Sequence, residues 1–223
     1  MIPNARPVSR FWIRALTVSQ PPRVTAGTGI DAIAHAVETA VTTKRTALSQ
    51  RLSAAAFTLC NGALPEVLQN PNDLAARGRM QLGAAYAGAA IENSMLGAAH
   101  AAANPLTAHF GIVHGQAVGL MLPHVVRFNA GEAEAQAAYA ALARAAGLVS
   151  SSESDARAVL ALGERLETLL ALARLPRTLA ECGVAESALV TLADEAARQW
   201  TAGFNPRRVT RDDFAELYAA AWG

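Results

Sequence analysis

The run "LGAAYAGAAIENSMLGAAHAAA" limits the folds open to this chain more than any other stretch. Alanine has the highest helix propensity and little bulk, so chains rich in it build helices that pack closely. Hydrophobic residues make up 52% of the sequence, much of that alanine, whereas aromatics supply only 5%. No run alternates apolar and polar residues as a half-buried strand would, and no internal repeat occurs. The expected fold class is therefore all-α, a helical bundle of about eight or nine helices. The same run is too broken for a membrane span. Glu92, Asn93 and His100 interrupt it, and a charge at the centre of a spanning helix costs about 2.5–3.5 kcal/mol on insertion scales. It reads as a buried core helix in a soluble, cytoplasmic protein.

Turn and cap signals divide the 223 residues. Residues 1–22 are rich in proline and lack periodicity, which predicts an extended arm; 23–223 form the helical domain. Thr25 or Thr28 is placed to cap a helix through "GIDAIAHAVETAVT", with Ile30, Ile33, Ala34 and Val37 on its apolar face. Pro65 should kink or divide the next helix. Asn72 is the expected cap of a long helix running toward His100. "NPLTAHFGIVHG", broken by Pro105 and Gly111, reads as an irregular stretch before a helix that starts near His114 and runs toward Phe128. Gly147 closes the following helix. Thr210 and Asp213 have the spacing of a capping box on the last one.

Several function classes find no support. A net charge of +1 without a basic block argues against nucleic-acid partners. Cys60 and Cys182 match no zinc or redox spacing and read as small buried residues in a reducing compartment. The start has no apolar signal-peptide core. A phosphate-binding GxGxxG and a nucleophile-elbow GxSxG are both absent from the sequence.

What remains is a pattern among the five histidines. Asp31 and His35 are four apart, so a helix presents both from one face. His100 and His114 flank the irregular stretch, which lets both imidazoles turn toward one point. One carboxylate oxygen and three imidazole nitrogens suit Fe(II), Zn(II), Mn(II), Co(II) or Ni(II). The alternative is a surface or half-buried Asp–His hydrogen-bonded pair. Titratable groups set among alanine, glycine and isoleucine need compensation, and a cation supplies it.

"TAGTGIDAIAHAVE", "LGAAHAAANPLTAHFGIVHG" and "VGLMLPHVVRFNA" together resemble the iron-containing (group III) alcohol dehydrogenase family. The resemblance runs from about Leu16 to the C-terminus and includes "LPRTLAECGV" and "NPRRVTRDDF". It implies that Asp31, His35, His100 and His114 bind one divalent ion, usually iron or zinc. His109 would then be a substrate contact or proton shuttle, or a loop residue bonded to backbone. His124 falls where the family has a structural histidine. Many members carry a histidine four residues after the third ligand; here that residue is Asn104, which cannot relay a proton near neutral pH.

The resemblance covers only the family's helical half. The nucleotide domain, with its glycine-rich motif, has no counterpart here, so NAD(P) binding is not expected from this chain alone. Residues 1–14 are unlike the family, which suggests a truncated gene with a new start. The expected function is the metal-binding helical domain of an alcohol/aldehyde oxidoreductase-like protein acting on a small-molecule substrate. A stand-alone, esterase-like metal hydrolase is the alternative, with His109 as its acid or base. An apolar face left by the missing half predicts a homo-oligomer. The "RFWIR" segment around Trp12 is apolar enough to pack over such a face.

Overall fold

The computed structural model describes residues 14–223; the segment around Trp12 therefore lies outside the described residues, except for Arg14. Among these residues are nine α-helices and no strand, as the alanine-rich pattern implies. They are α1 (Pro22–Thr39), α2 (Ala47–Gln69), α3 (Leu74–Glu92), α4 (Ala98–Phe110), α5 (His114–Asn129), α6 (Ala133–Ala145), α7 (Asp155–Leu172), α8 (Leu189–Ala196) and α9 (Arg211–Trp222). A 3-10 turn at Arg14–Thr17 precedes them. No described helix is long and apolar enough to cross a membrane.

Helix α1 lies near the middle, packed against α2, α3 and α5, while α4 packs on α5 and α8. Its expected apolar face is indeed buried: Ile30, Ile33, Ala34 and Val37 all join the core. The large members of that core, among them Phe57, Leu64, Leu106, Met121, Tyr139 and Phe214, are spread over α2, α4, α5, α6 and α9. Alanine fills the space between them, which lets the helices approach closely. The Tyr218 hydroxyl ties α9 to α4 by donating to the Ala102 carbonyl at 2.6 Å.

Several boundaries differ from the sequence expectation. Helix α1 starts earlier, with Pro22 in its first position, and Thr28 is interior, donating its hydroxyl to the Val24 carbonyl. A proline suits that first position because the missing amide would have no helical partner there. Pro65 does not divide α2, which continues to Gln69. Asp73, rather than Asn72, caps α3 by accepting from the Ala75 and Ala76 amides. The capping box of Thr210 and Asp213 forms as expected.

The larger corrections lie where the candidate ligands are. Helix α3 stops at Glu92, and His100 belongs to the first turn of a separate helix. The Asn93 side chain donates to the Ala89 carbonyl and the Ser94 hydroxyl to that of Ala90, so both compete with continued backbone bonding. The stretch after His100 is not irregular either: α4 runs through Pro105 to Phe110. The true stop is Gly111, left-handed at φ 62°, whose amide donates to the Thr107 carbonyl.

Candidate metal centre

Three helices deliver the four residues. On α1, one turn of helix sets His35 Nε2 3.5 Å from Asp31 Oδ1. The first turn of α4 places His100 Nε2 3.5 Å from the same oxygen. His114 is the first residue of α5, with its Nε2 3.7 Å from that oxygen. Asp31 Oδ1 is thus the common neighbour of all three imidazoles. The His35 and His100 rings stack with centroids 4.9 Å apart, and the His114 ring is tilted 51° to that of His100 at 5.3 Å. Potential ligand atoms of Asp31, His100 and His114 lie within 4.8 Å of one another.

The cluster grades from inside to outside. His100 is buried, Asp31 and His35 are partly covered, and the His114 side chain is 41% exposed. Asp31 Oδ1 and His100 Nε2 are both buried and, among the described residues, have no hydrogen-bond partner. Buried polar atoms are rarely left so, and these two, facing one another across 3.5 Å, are donor atoms open to a further group.

Behind His100 stands a residue the sequence reading missed. Glu38, only 2% exposed, places Oε2 2.5 Å from His100 Nδ1. Its Oε1 accepts from the Ala99 amide at 2.7 Å. The carboxylate therefore sits at the N-terminus of α4, where amides lack helical partners. The available signal was a lone acid three residues after His35, amid alanine, valine and threonine on a helix that is mostly buried.

Electrostatics follow from this packing. Burial penalises the Asp31 carboxylate, but the His100 contact and the imidazole charges outweigh it and hold its pKa below the usual range. Burial likewise opposes ionisation of Glu38, and His100 with the Gly97 and Ala99 amides overcomes it, again lowering the pKa. His100 is disfavoured as a cation by burial, yet Glu38 and Asp31 raise its pKa to about 9. His35 goes the other way, to about 4, because burial and the charge of His100 outweigh Asp31. Burial also lowers the pKa of His114.

His109 and Asn104 make their side-chain hydrogen bonds with residues outside this cluster. His109 is on the last turn of α4, half exposed, with Nε2 2.8 Å from Glu195 Oε2 on α8. It is a helical residue in a side-chain pair rather than a loop residue bonded to backbone. Asn104 donates to the Gln199 side chain at 3.0 Å. His124 is part-way along α5. Cys60 is buried and Cys182 partly so, and both are free thiols.

The C-terminal model of the Fe-containing alcohol dehydrogenase family matches residues 25–222, nearly the whole described chain. The chain belongs to that family. It is 36% identical over 210 residues to long-chain-alcohol dehydrogenase 1 of Geobacillus thermodenitrificans, covering 93% of this chain and 52% of that protein. Lactaldehyde reductase of Escherichia coli K12 is 35% identical over 220 residues, covering 99% of this chain and 56% of its own length. Among solved structures, the alcohol dehydrogenase of Oenococcus oeni superposes with a TM-score of 0.89 at 27% identity, over 94% of this chain and 54% of that one. The chain thus spans about half the length of the curated relatives it matches. Within that half, the all-helical fold of this Fe-containing alcohol dehydrogenase-family chain is the expected one.

Proposed function

We propose that Asp31, His35, His100 and His114 hold one divalent metal ion, Fe(II) or Zn(II), and that this chain is the metal-bearing helical part of an alcohol/aldehyde oxidoreductase. The observation that carries the reading is the pair of buried, unpartnered atoms, Asp31 Oδ1 and His100 Nε2, in a cluster with two more imidazoles. One carboxylate and three imidazoles form a donor set that suits either metal. A bound ion there supplies Lewis-acid polarisation of an alcohol or carbonyl oxygen.

The chain's own residues divide the remaining work. Asp31 contributes negative charge that offsets a cation, and that cation must displace the proton which Glu38 and Asp31 favour on His100. His35 and His114, both with lowered pKa, stay unprotonated near neutral pH and keep lone pairs available. The exposed side of His114 gives a small-molecule substrate its approach, while His100 and Glu38, both buried, close the opposite side to water. The redox part of the reading draws on the relatives, which are named as a long-chain-alcohol dehydrogenase and a lactaldehyde reductase.

Elemental analysis of the purified chain beside His35→Ala tests the site. About one transition-metal ion per chain, lost in the variant, is the expected result. A metal-free chain that cannot be reconstituted overturns the reading. Alcohol oxidation with added NAD(P) then tests the redox assignment; metal-dependent cleavage of a chromogenic ester without any redox turnover would replace it with hydrolysis.

A further inference from the structure

Both oxygens of the Glu38 carboxylate are committed, one to the Ala99 amide and one to His100 Nδ1. We propose that Glu38 is a positioning residue that fixes the proton of His100 on Nδ1 and so reserves Nε2 for a ligand. The consequence for metal binding rests on the metal reading above; the proton placement does not.

An ionised carboxylate only accepts hydrogen bonds, so each of its two neighbours must donate. The Ala99 amide can do nothing else. His100 Nδ1, 2.5 Å from Oε2, must therefore carry its hydrogen, and in the neutral ring the lone pair falls on Nε2. That nitrogen is the one facing Asp31 Oδ1, and among the described residues it has no hydrogen-bond partner. The contacts also join two functions in a single side chain. By accepting from Ala99, Glu38 anchors the first turn of α4, and by accepting from the next residue it sets the ring that this turn carries.

Glutamine at this position has the same shape and the opposite consequence. It offers one acceptor and one donor where the carboxylate offers two acceptors. With its carbonyl kept by the Ala99 amide, its NH2 group faces Nδ1, which must then accept. The ring proton moves to Nε2 and points at Asp31, occupying the position a metal would need.

The test is zinc affinity of the full chain by competition with a chromophoric chelator, together with nitrogen NMR of histidine-labelled protein. Glu38→Gln should lower zinc affinity about 10- to 100-fold, the range of other outer-sphere changes. Its metal-free spectrum at alkaline pH should show His100 protonated on Nε2, whereas the parent shows Nδ1. Unchanged affinity, or Nδ1 still protonated in the variant, overturns the proposal. Should Glu38→Gln fail to fold, the parent spectrum decides: a bare Nδ1 on His100 overturns it, and a protonated one supports it. A parent that binds no zinc refutes the metal reading, and the tautomer at alkaline pH still answers for Glu38.

Discussion

A Cβ on Gly115 would stand 2.0 Å from the carbonyl oxygen of Gly27 and 3.1 Å from Asp31 Cβ. The first turn of α5 thus rests directly on the backbone of α1. This close approach carries the preceding residue, His114, to Asp31. Only glycine permits it, because the atom in the way is backbone and cannot rotate aside.

Gly115→Ala is therefore expected to push α5 from α1, at a cost of about 1–3 kcal/mol for an overpacked contact. It should also weaken metal binding, since His114 retreats from Asp31. Gly62→Ala is the matched control: a Cβ at this α2 position meets no neighbouring element within 4 Å among the described residues, and replacing a helical glycine there should stabilise by about 0.5–1 kcal/mol. Urea unfolding of the two variants beside the parent checks both signs. Equal stability in Gly115→Ala would show that the contact relaxes freely.

Asn205 forms a second support for the turn that bears His100. Its Oδ1 accepts from the Ala98 amide at 3.3 Å and from Asn129 at 3.1 Å, and its own amide donates to Asn129 Oδ1 and the Arg207 carbonyl. Asn205→Ala leaves several of these buried groups unpaired, each worth about 1–3 kcal/mol when stranded. The variant should unfold at markedly lower denaturant than the parent. Hydrogen exchange should show the Ala98 amide losing protection before those in the middle of α4.

These contacts explain which parts of the molecule were legible in the sequence. The i, i+4 relation of Asp31 and His35, the buried face of α1 and the Thr210–Asp213 capping box are local, and each was readable from spacing. The break between α3 and α4 was not. Asn93, Ser94 and Gly97 lower the helix propensity only briefly between alanine-rich flanks, and the new helix begins where it does because Glu38 and Asn205, distant in sequence, accept its first amides. Pro105 looked like a breaker but is buried inside α4, so packing overrides its propensity. Glu38 itself escaped notice because its partner, His100, is 62 residues away.

Metal removal should lower stability without unfolding the chain. The core of large residues extends from α2 to α9, well beyond the four-residue cluster, so the metal is not needed to assemble the fold. Zinc present at about a hundredfold over its dissociation constant adds about 2.7 kcal/mol by mass action. Thermal unfolding followed by circular dichroism should show a higher midpoint with zinc, reversed by chelator, at unchanged helical content. His100→Ala should abolish the shift. A chelated chain that loses its helices would instead make the metal structural.

His124 gives a pH signature remote from the cluster. Burial lowers its pKa below the usual value near 6.5, Arg127 adds to the effect, and Glu167 opposes it. Because the folded-state pKa is the lower one, the unfolded chain takes up the proton first as pH falls. The contribution of neutral His124 to stability is complete above about pH 6.5 and is lost progressively below it, down to the folded-state pKa. Replacing it by glutamine removes this dependence while leaving every other titrating group in place. The unfolding free energy of the parent minus that of His124→Gln should therefore decline as pH is lowered from about 7.5 to about 5. A difference that stays flat across this range would mean that the imidazole titrates alike in the folded and unfolded chain.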